Sequence, residues 1–107
     1  MYVSETVKQN FTDRKNACLE LFRMANIVNA KIGIFGSYVR DEYKATSDID
    51  FCVITDDRPP RSVVGGLKED FEINGADIIF VNNDYFNHDP SDFAVQLRRD
   101  FKEIVYE

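Results

Sequence analysis

Apolar positions along the chain follow two different rhythms. Phe11, Cys18, Leu21, Phe22, Ala25 and Val28 recur at spacings of three, four and seven, which predicts an amphipathic helix over residues 4–26. Ser4 and the Thr6-Val7-Lys8-Gln9 capping box compete as its start. Ile32-Gly33-Ile34-Phe35 is a short continuous apolar run halted by Gly36, the pattern of a buried strand ending in a turn. Residues 48–54 alternate, so at strand period Asp48 and Asp50 share a face, about 6–7 Å apart at their backbones. Residues 55–60 read as a loop. Pro60 suits the first turn of a helix whose apolar face is Val63, Val64, Leu67 and Phe71. Gly65-Gly66 weakens that helix by about 1 kcal/mol per glycine. Asn74-Gly75 is a turn into a third strand over 76–81. In the tail, Pro90-Ser91 starts a helix with Phe93, Leu97 and Phe101 inward, and Ile104-Val105-Tyr106 reads as a final edge strand. These elements predict an α+β protein: a small mixed sheet with helices packed on one face and an acidic site on the other.

Composition narrows the picture. At 107 residues the chain has room for one core, so residues 1–107 are expected to form a single domain. A 44% hydrophobic content with nine Phe is ample for a packed interior. The net charge of −6 argues against a broad electrostatic grip on DNA or RNA and suits a basic protein partner or a metal-bridged nucleotide. Cys18 and Cys52 lie in apolar contexts without paired spacing and read as buried thiols of a reducing, cytoplasmic compartment. No apolar run approaches the length of a membrane span, and no signal-peptide pattern opens the chain.

The candidate chemistry sits on one strand–turn–strand unit. Two aspartates side by side on a rigid strand repel unless a cation lies between them, and Mg²⁺ is held by one or two carboxylates with water and phosphate oxygens. Gly36 permits a sharp turn and close approach of a ligand to the main chain. If residues 37–41 open a helical turn, their free amides and the Ser37 hydroxyl offer donors to phosphate. Each feature alone has a plainer reading. Gly-Ser is usually an ordinary turn, and Arg40 could pair with Asp41, Glu42 or Asp48. Lys44, His88 and the Asp56-Asp57 pair read as solvated loop residues.

Gly36-Ser37, ten residues, then Asp48-Ile49-Asp50 resembles the GS-x10-DxD signature of the minimal nucleotidyltransferases, relatives of the DNA polymerase β superfamily. The apolar strand ahead of Gly36, Arg40 three residues after Ser37, and Ser47 before the first aspartate also look like that family. Asp41 departs from it, standing where a glycine is common. The resemblance implies a polymerase-β-like nucleotidyltransferase fold. It also implies a third carboxylate on a neighbouring strand, and Asp77 looks like that residue; a charge inside an apolar strand would otherwise be costly.

The activity implied by the resemblance is nucleotidyl transfer. Asp48, Asp50 and Asp77 would hold two Mg²⁺ ions, with Asp77 also helping to deprotonate the incoming hydroxyl. Gly36, Ser37 and Arg40 would bind the nucleotide, with ATP as donor. Larger relatives carry an extra helical domain for small acceptors, so the acceptor here is expected to come with a second protein. Minimal nucleotidyltransferases of this size resemble antitoxins that add AMP to a tyrosine of a HEPN ribonuclease toxin. Two other readings stay open: a binding module that neutralises its toxin by occlusion, which Asp41 keeps alive, and a transferase subunit with a different acceptor.

Overall fold

The computed structural model describes residues 4–40 and 47–104. Helix α1 spans Glu5–Met24, and its start is settled by Ser4, whose hydroxyl accepts the Val7 amide at 3.2 Å. The chain leaves α1 through Asn26 and Asn29 at φ 54° and 55°, the left-handed region that asparagine tolerates better than most residues. Strand β1 (Ala30–Phe35) runs antiparallel to β2 (Ile49–Thr55), with Phe35 opposite Asp50. Helix α2 (Arg61–Ile73) follows Pro60 and buries Val64, Leu67 and Phe71. Gly65 and Gly66 face open space, so the helix survives them because its opposite stripe is packed. The Asn74-Gly75 turn, with Gly75 at φ 70°, leads into β3 (Ala76–Val81), parallel to β2. Helices α3 (Asn83–His88) and α4 (Asp92–Asp100) come next, and β4 (Lys102–Glu103) closes on β1. The sheet is mixed and four-stranded, in the order β3-β2-β1-β4.

The alternation of β2 serves two cores. Ile49, Phe51 and Val53 join Ile32, Ile34 and Ile78 beneath α1 and α2, where they meet Cys18, Phe22, Leu67 and Phe71. Phe51 and Phe71 pack edge to face with ring centroids 5.2 Å apart. On the other face Cys52 and Ile54 meet Leu97, with Phe35, Ile79, Tyr85, Phe86 and Phe101 packed around them. Helices therefore cover both faces, and the expectation of helices on one face alone is corrected: it holds for α1 and α2, while α3 and α4 cover the face that also carries Asp50. Helix α3 stands where the polar sequence reads as a loop. Asn82 caps it by accepting the Tyr85 amide, and Tyr85 and Phe86 supply its anchor.

Three details of the tail also differ from expectation. The inward stripe of α4 is Ala94, Leu97 and Asp100, whereas Phe93 is 47% exposed and meets Phe35 edge to face, with ring centroids 6.1 Å apart. His88 is the last residue of α3 and not part of a loop. The edge strand comes earlier than its sequence pattern suggests, and the Ile104 amide donates to the Ile32 carbonyl at 2.9 Å; Val105 and Tyr106 lie outside the described residues. Gly33 makes this closure possible, since a Cβ there would stand 2.5 Å from the Lys102 carbonyl oxygen. Cys18 and Cys52 are free and buried on opposite faces, and burial pushes their thiols up to about 11 and about 12. Neither is poised as a nucleophile. Among the described residues no helix is long and apolar enough to cross a membrane.

Candidate active site

Strand β1 delivers the chain to Gly36 beside the start of β2. Gly36 sits at φ 82°, and a Cβ on it would stand 2.8 Å from Asp50 Oδ2. The glycine is thus needed twice: for its backbone angle and for the carboxylate lying against it. A 3₁₀ turn over Gly36–Tyr38 continues the chain, tied by the Val39 amide to the Gly36 carbonyl at 3.1 Å, and no side chain caps its first amides. Ser37 is half-buried in that turn.

Asp50 is the first polar residue on the α3–α4 face of β2, and the parallel register sets Asp77 directly beside it on β3. Neighbouring strands are about 4.8 Å apart, so the two carboxylates rise from adjacent positions of one face. Asp48 precedes β2 and is exposed, Asp50 is half-buried, and Asp77 is exposed. The expectation that Asp77 carries a buried charge is thus corrected: it stands at the open end of β3. Burial raises the Asp50 carboxyl above the usual carboxylate range, and the negative charges of Asp77 and then Asp48 raise it further, with Arg40 opposing. The three aspartates form one electrostatic group around Asp50. Among the described residues no hydrogen-bond donor serves any of their carboxylates.

That donor set suits a hard divalent cation. Among the described residues no three His, Cys, Asp or Glu side chains enclose a metal position. Mg²⁺ does not require such a cage, because it keeps several waters and takes oxygens from substrate phosphates. Free carboxylate oxygens, with one carboxyl already raised by its neighbours, are what a cation would relieve.

Arg40 lies within electrostatic reach of Asp50 but is committed to Asp100 of α4, Nη1 to Oδ2 at 2.5 Å. Asp100 is 6% exposed, while the Arg40 side chain is 36% exposed. Sequence proximity pairs Arg40 with nearer acids and misses Asp100. A signal does exist: Asp100 continues the three-residue spacing of Ala94 and Leu97, and a carboxylate on a buried stripe at a helix C-terminus needs a cation. Asp41, Glu42 and Lys44 lie outside the described residues. Tyr38 is a second residue that sequence reasoning misses. It is buried, and its hydroxyl donates to the Ser47 carbonyl at 2.6 Å, joining the turn to the residue before Asp48.

Comparison with known proteins adds to this geometry. The family described as nucleotidyltransferase domain matches residues 14–104. No curated protein matches the chain. Among solved structures, a toxin–antitoxin crystal structure with AMP-PNP is similar at 22% identity, covering 87% of this chain and 73% of that one, with a TM-score of 0.60. The tri-AMPylated Shewanella oneidensis HEPN toxin in complex with MNT antitoxin is similar at 19% identity, covering 90% and 72%, with a TM-score of 0.55. The toxin–antitoxin MntA–HepT is similar at 19% identity over 90% and 73%, again at 0.55. At these identities the structural likeness speaks for the fold.

Proposed function

The chain belongs to the nucleotidyltransferase domain family, and from that membership we propose that it transfers AMP from ATP to a hydroxyl of a HEPN-type toxin and so acts as an antitoxin. The observation that carries the reading is the register of Asp50 against Asp77 on one sheet face, beside the Gly36 turn. Asp48, Asp50 and Asp77 would hold Mg²⁺, which when bound would neutralise phosphate charge and acidify the attacking hydroxyl. The amides of the Gly36 turn and the Ser37 hydroxyl would bind the β- and γ-phosphates, and Arg40 would add positive charge there. The acceptor oxygen attacks the α-phosphorus, and the bond from that phosphorus to the bridging oxygen breaks. Pyrophosphate leaves with that electron pair, and the hydroxyl proton passes to the Asp77 carboxylate. The solved complex of AMPylated HEPN toxin with MNT antitoxin and the toxin–antitoxin structure with AMP-PNP support this choice of acceptor and donor.

The test is mass spectrometry of a HEPN toxin incubated with the protein, ATP and Mg²⁺. The toxin is expected to gain one or more AMP units, with Asp77→Ala losing most of the transfer while still forming the complex. Ser37→Ala is expected to be milder, since the backbone amides remain, with a loss of at most roughly 10²–10³-fold. An unmodified toxin that is nonetheless inhibited at equimolar protein would establish occlusion in place of transfer.

A further inference from the structure

One side chain from α1 reaches all three segments that carry the site. Arg14 Nη1 donates to the Ser47 carbonyl at 3.1 Å and to the Gly75 carbonyl at 3.0 Å. Its Nη2 donates to the Tyr38 hydroxyl at 2.6 Å, and that hydroxyl donates in turn to the Ser47 carbonyl at 2.6 Å. Asn10 Oδ1 accepts from Nε at 2.9 Å one helical turn earlier and fixes the plane of the group. Ser47 immediately precedes Asp48, Gly75 stands two residues before Asp77, and Tyr38 is next to Ser37. The Gly75 carbonyl also accepts the Ile49 amide at 3.1 Å, the bond that starts the pairing of β2 with β3.

We infer that Arg14 is a positioning residue for the acidic site, setting the Ser37 turn, Asp48 and Asp77 relative to one another through Tyr38, Ser47 and Gly75. The inference rests on the transferase reading for its consequence, but not for its geometry. The chemistry requires arginine: a planar fork with five fixed donors spans four acceptors, and an ammonium with the same charge cannot. The surroundings are shaped around it. Phe11 stacks on the Tyr38 ring at 4.4 Å, the Arg14 guanidinium lies 6.0 Å from the same ring's centroid, and a Cβ at Gly75 would stand 2.7 Å from Arg14 Nη1. Asp48 and Asp50 on one segment and Asp77 on another repel unless something other than their own contacts holds the backbones in place. Arg14 does this through two backbone carbonyls and the Tyr38 hydroxyl.

The test compares Arg14→Lys with wild type in three measurements on the whole chain. Affinity for Mn²⁺ alone, by titration with paramagnetic detection, is expected to fall by about tenfold, within the range for groups that orient metal ligands. Exchange of the Ile49 amide is expected to quicken relative to core amides such as Val53. Transfer to toxin, assayed well below the melting temperature, is expected to lose kcat with KM for the acceptor unchanged. Tyr38→Phe, which removes one acceptor and one donor but keeps the ring, should show the same pattern with smaller shifts, and it decides the matter if Arg14→Lys does not fold. Wild-type Mn²⁺ affinity and wild-type Ile49 exchange in a folded variant would overturn the inference. A wild-type protein that transfers nothing would overturn the transferase reading, while the Mn²⁺ and exchange measurements would still judge Arg14.

Discussion

Strand β2 carries an acidic pair at each end, and the two pairs have opposite surroundings. Beyond its C-terminal end, Asp56 Oδ1 accepts the Asn83 amide at 3.0 Å and so holds the first turn of α3. Asp57 Oδ2 accepts from the Asn29 side chain at 3.0 Å, while its own amide donates to Thr55 Oγ1. Each carboxylate there accepts a hydrogen bond that ties the end of β2 to a neighbouring segment. At the other end Asp48 and Asp50 receive no donor among the described residues, and a third carboxylate, Asp77, is set beside them. The same residue type is thus a fastening at one end and a source of repulsion at the other. An acid whose lone pairs are already taken is structural. Clustered acids with free lone pairs wait for a cation or a proton.

The sharpest way to break this comparison is to neutralise each pair in turn. Asp48→Asn with Asp50→Asn is expected to abolish toxin modification and the melting-temperature rise given by Mg²⁺ with a non-hydrolysable ATP analogue. That loss should exceed the roughly 10²–10³-fold that one donor to a reacting centre is worth. Retention of the full ligand-induced shift would show that the N-terminal pair is not the ligand set. Between the two ends, Phe51→Ala is expected to cost about 3–5 kcal/mol in urea unfolding, as for other buried aromatic truncations. Its transfer activity should track the folded fraction alone.

At the C-terminal end, Asp56→Asn with Asp57→Asn should leave transfer and metal response intact and cost less than about 1 kcal/mol of stability, because these bonds are exposed. A loss of transfer there would erase the distinction between the two ends. The subtlest effect is a pH dependence. The folded Asp50 carboxyl titrates above its unfolded value, so between the two values the folded state binds the extra proton and stability falls as pH rises. Metal-free Asp50→Asn should therefore gain over wild type as pH climbs from below about 4 to neutrality, as read by differential scanning calorimetry. Mg²⁺ should stabilise wild type and close the gap. A gap of the same size at every pH would mean that repulsion around Asp50 is not its cause.

Much of the framework is legible in the residues because it rests on local rules. The alternation over β2, the glycine stop after Phe35, the apolar stripes of α1 and α2, and the Asn74-Gly75 turn each need only their own neighbours, and they take the form their patterns predict, except that Val28 lies past the end of α1 and is 68% exposed. Helix α3 is not legible, since His88 reads as a loop residue and only packing of Tyr85 and Phe86 against the sheet makes a helix of that polar stretch. Phe93 is misplaced by its spacing for the converse reason: helical period marks a stripe but cannot say where the stripe meets the sheet.

By itself, the sequence determined that Gly36, Asp48 and Asp50 lie on one strand–turn–strand unit, because strand period and glycine stereochemistry are properties of the backbone. Tertiary structure alone decided what faces them. The parallel register brings Asp77 across from Asp50, Asp100 takes Arg40 from 60 residues away, and Arg14 joins carbonyls 33 and 61 residues along the chain. Such contacts leave no periodic mark, since a hydrogen bond or an ion pair depends on distance in space, and only the packing of α1 and α4 against the sheet fixes those distances.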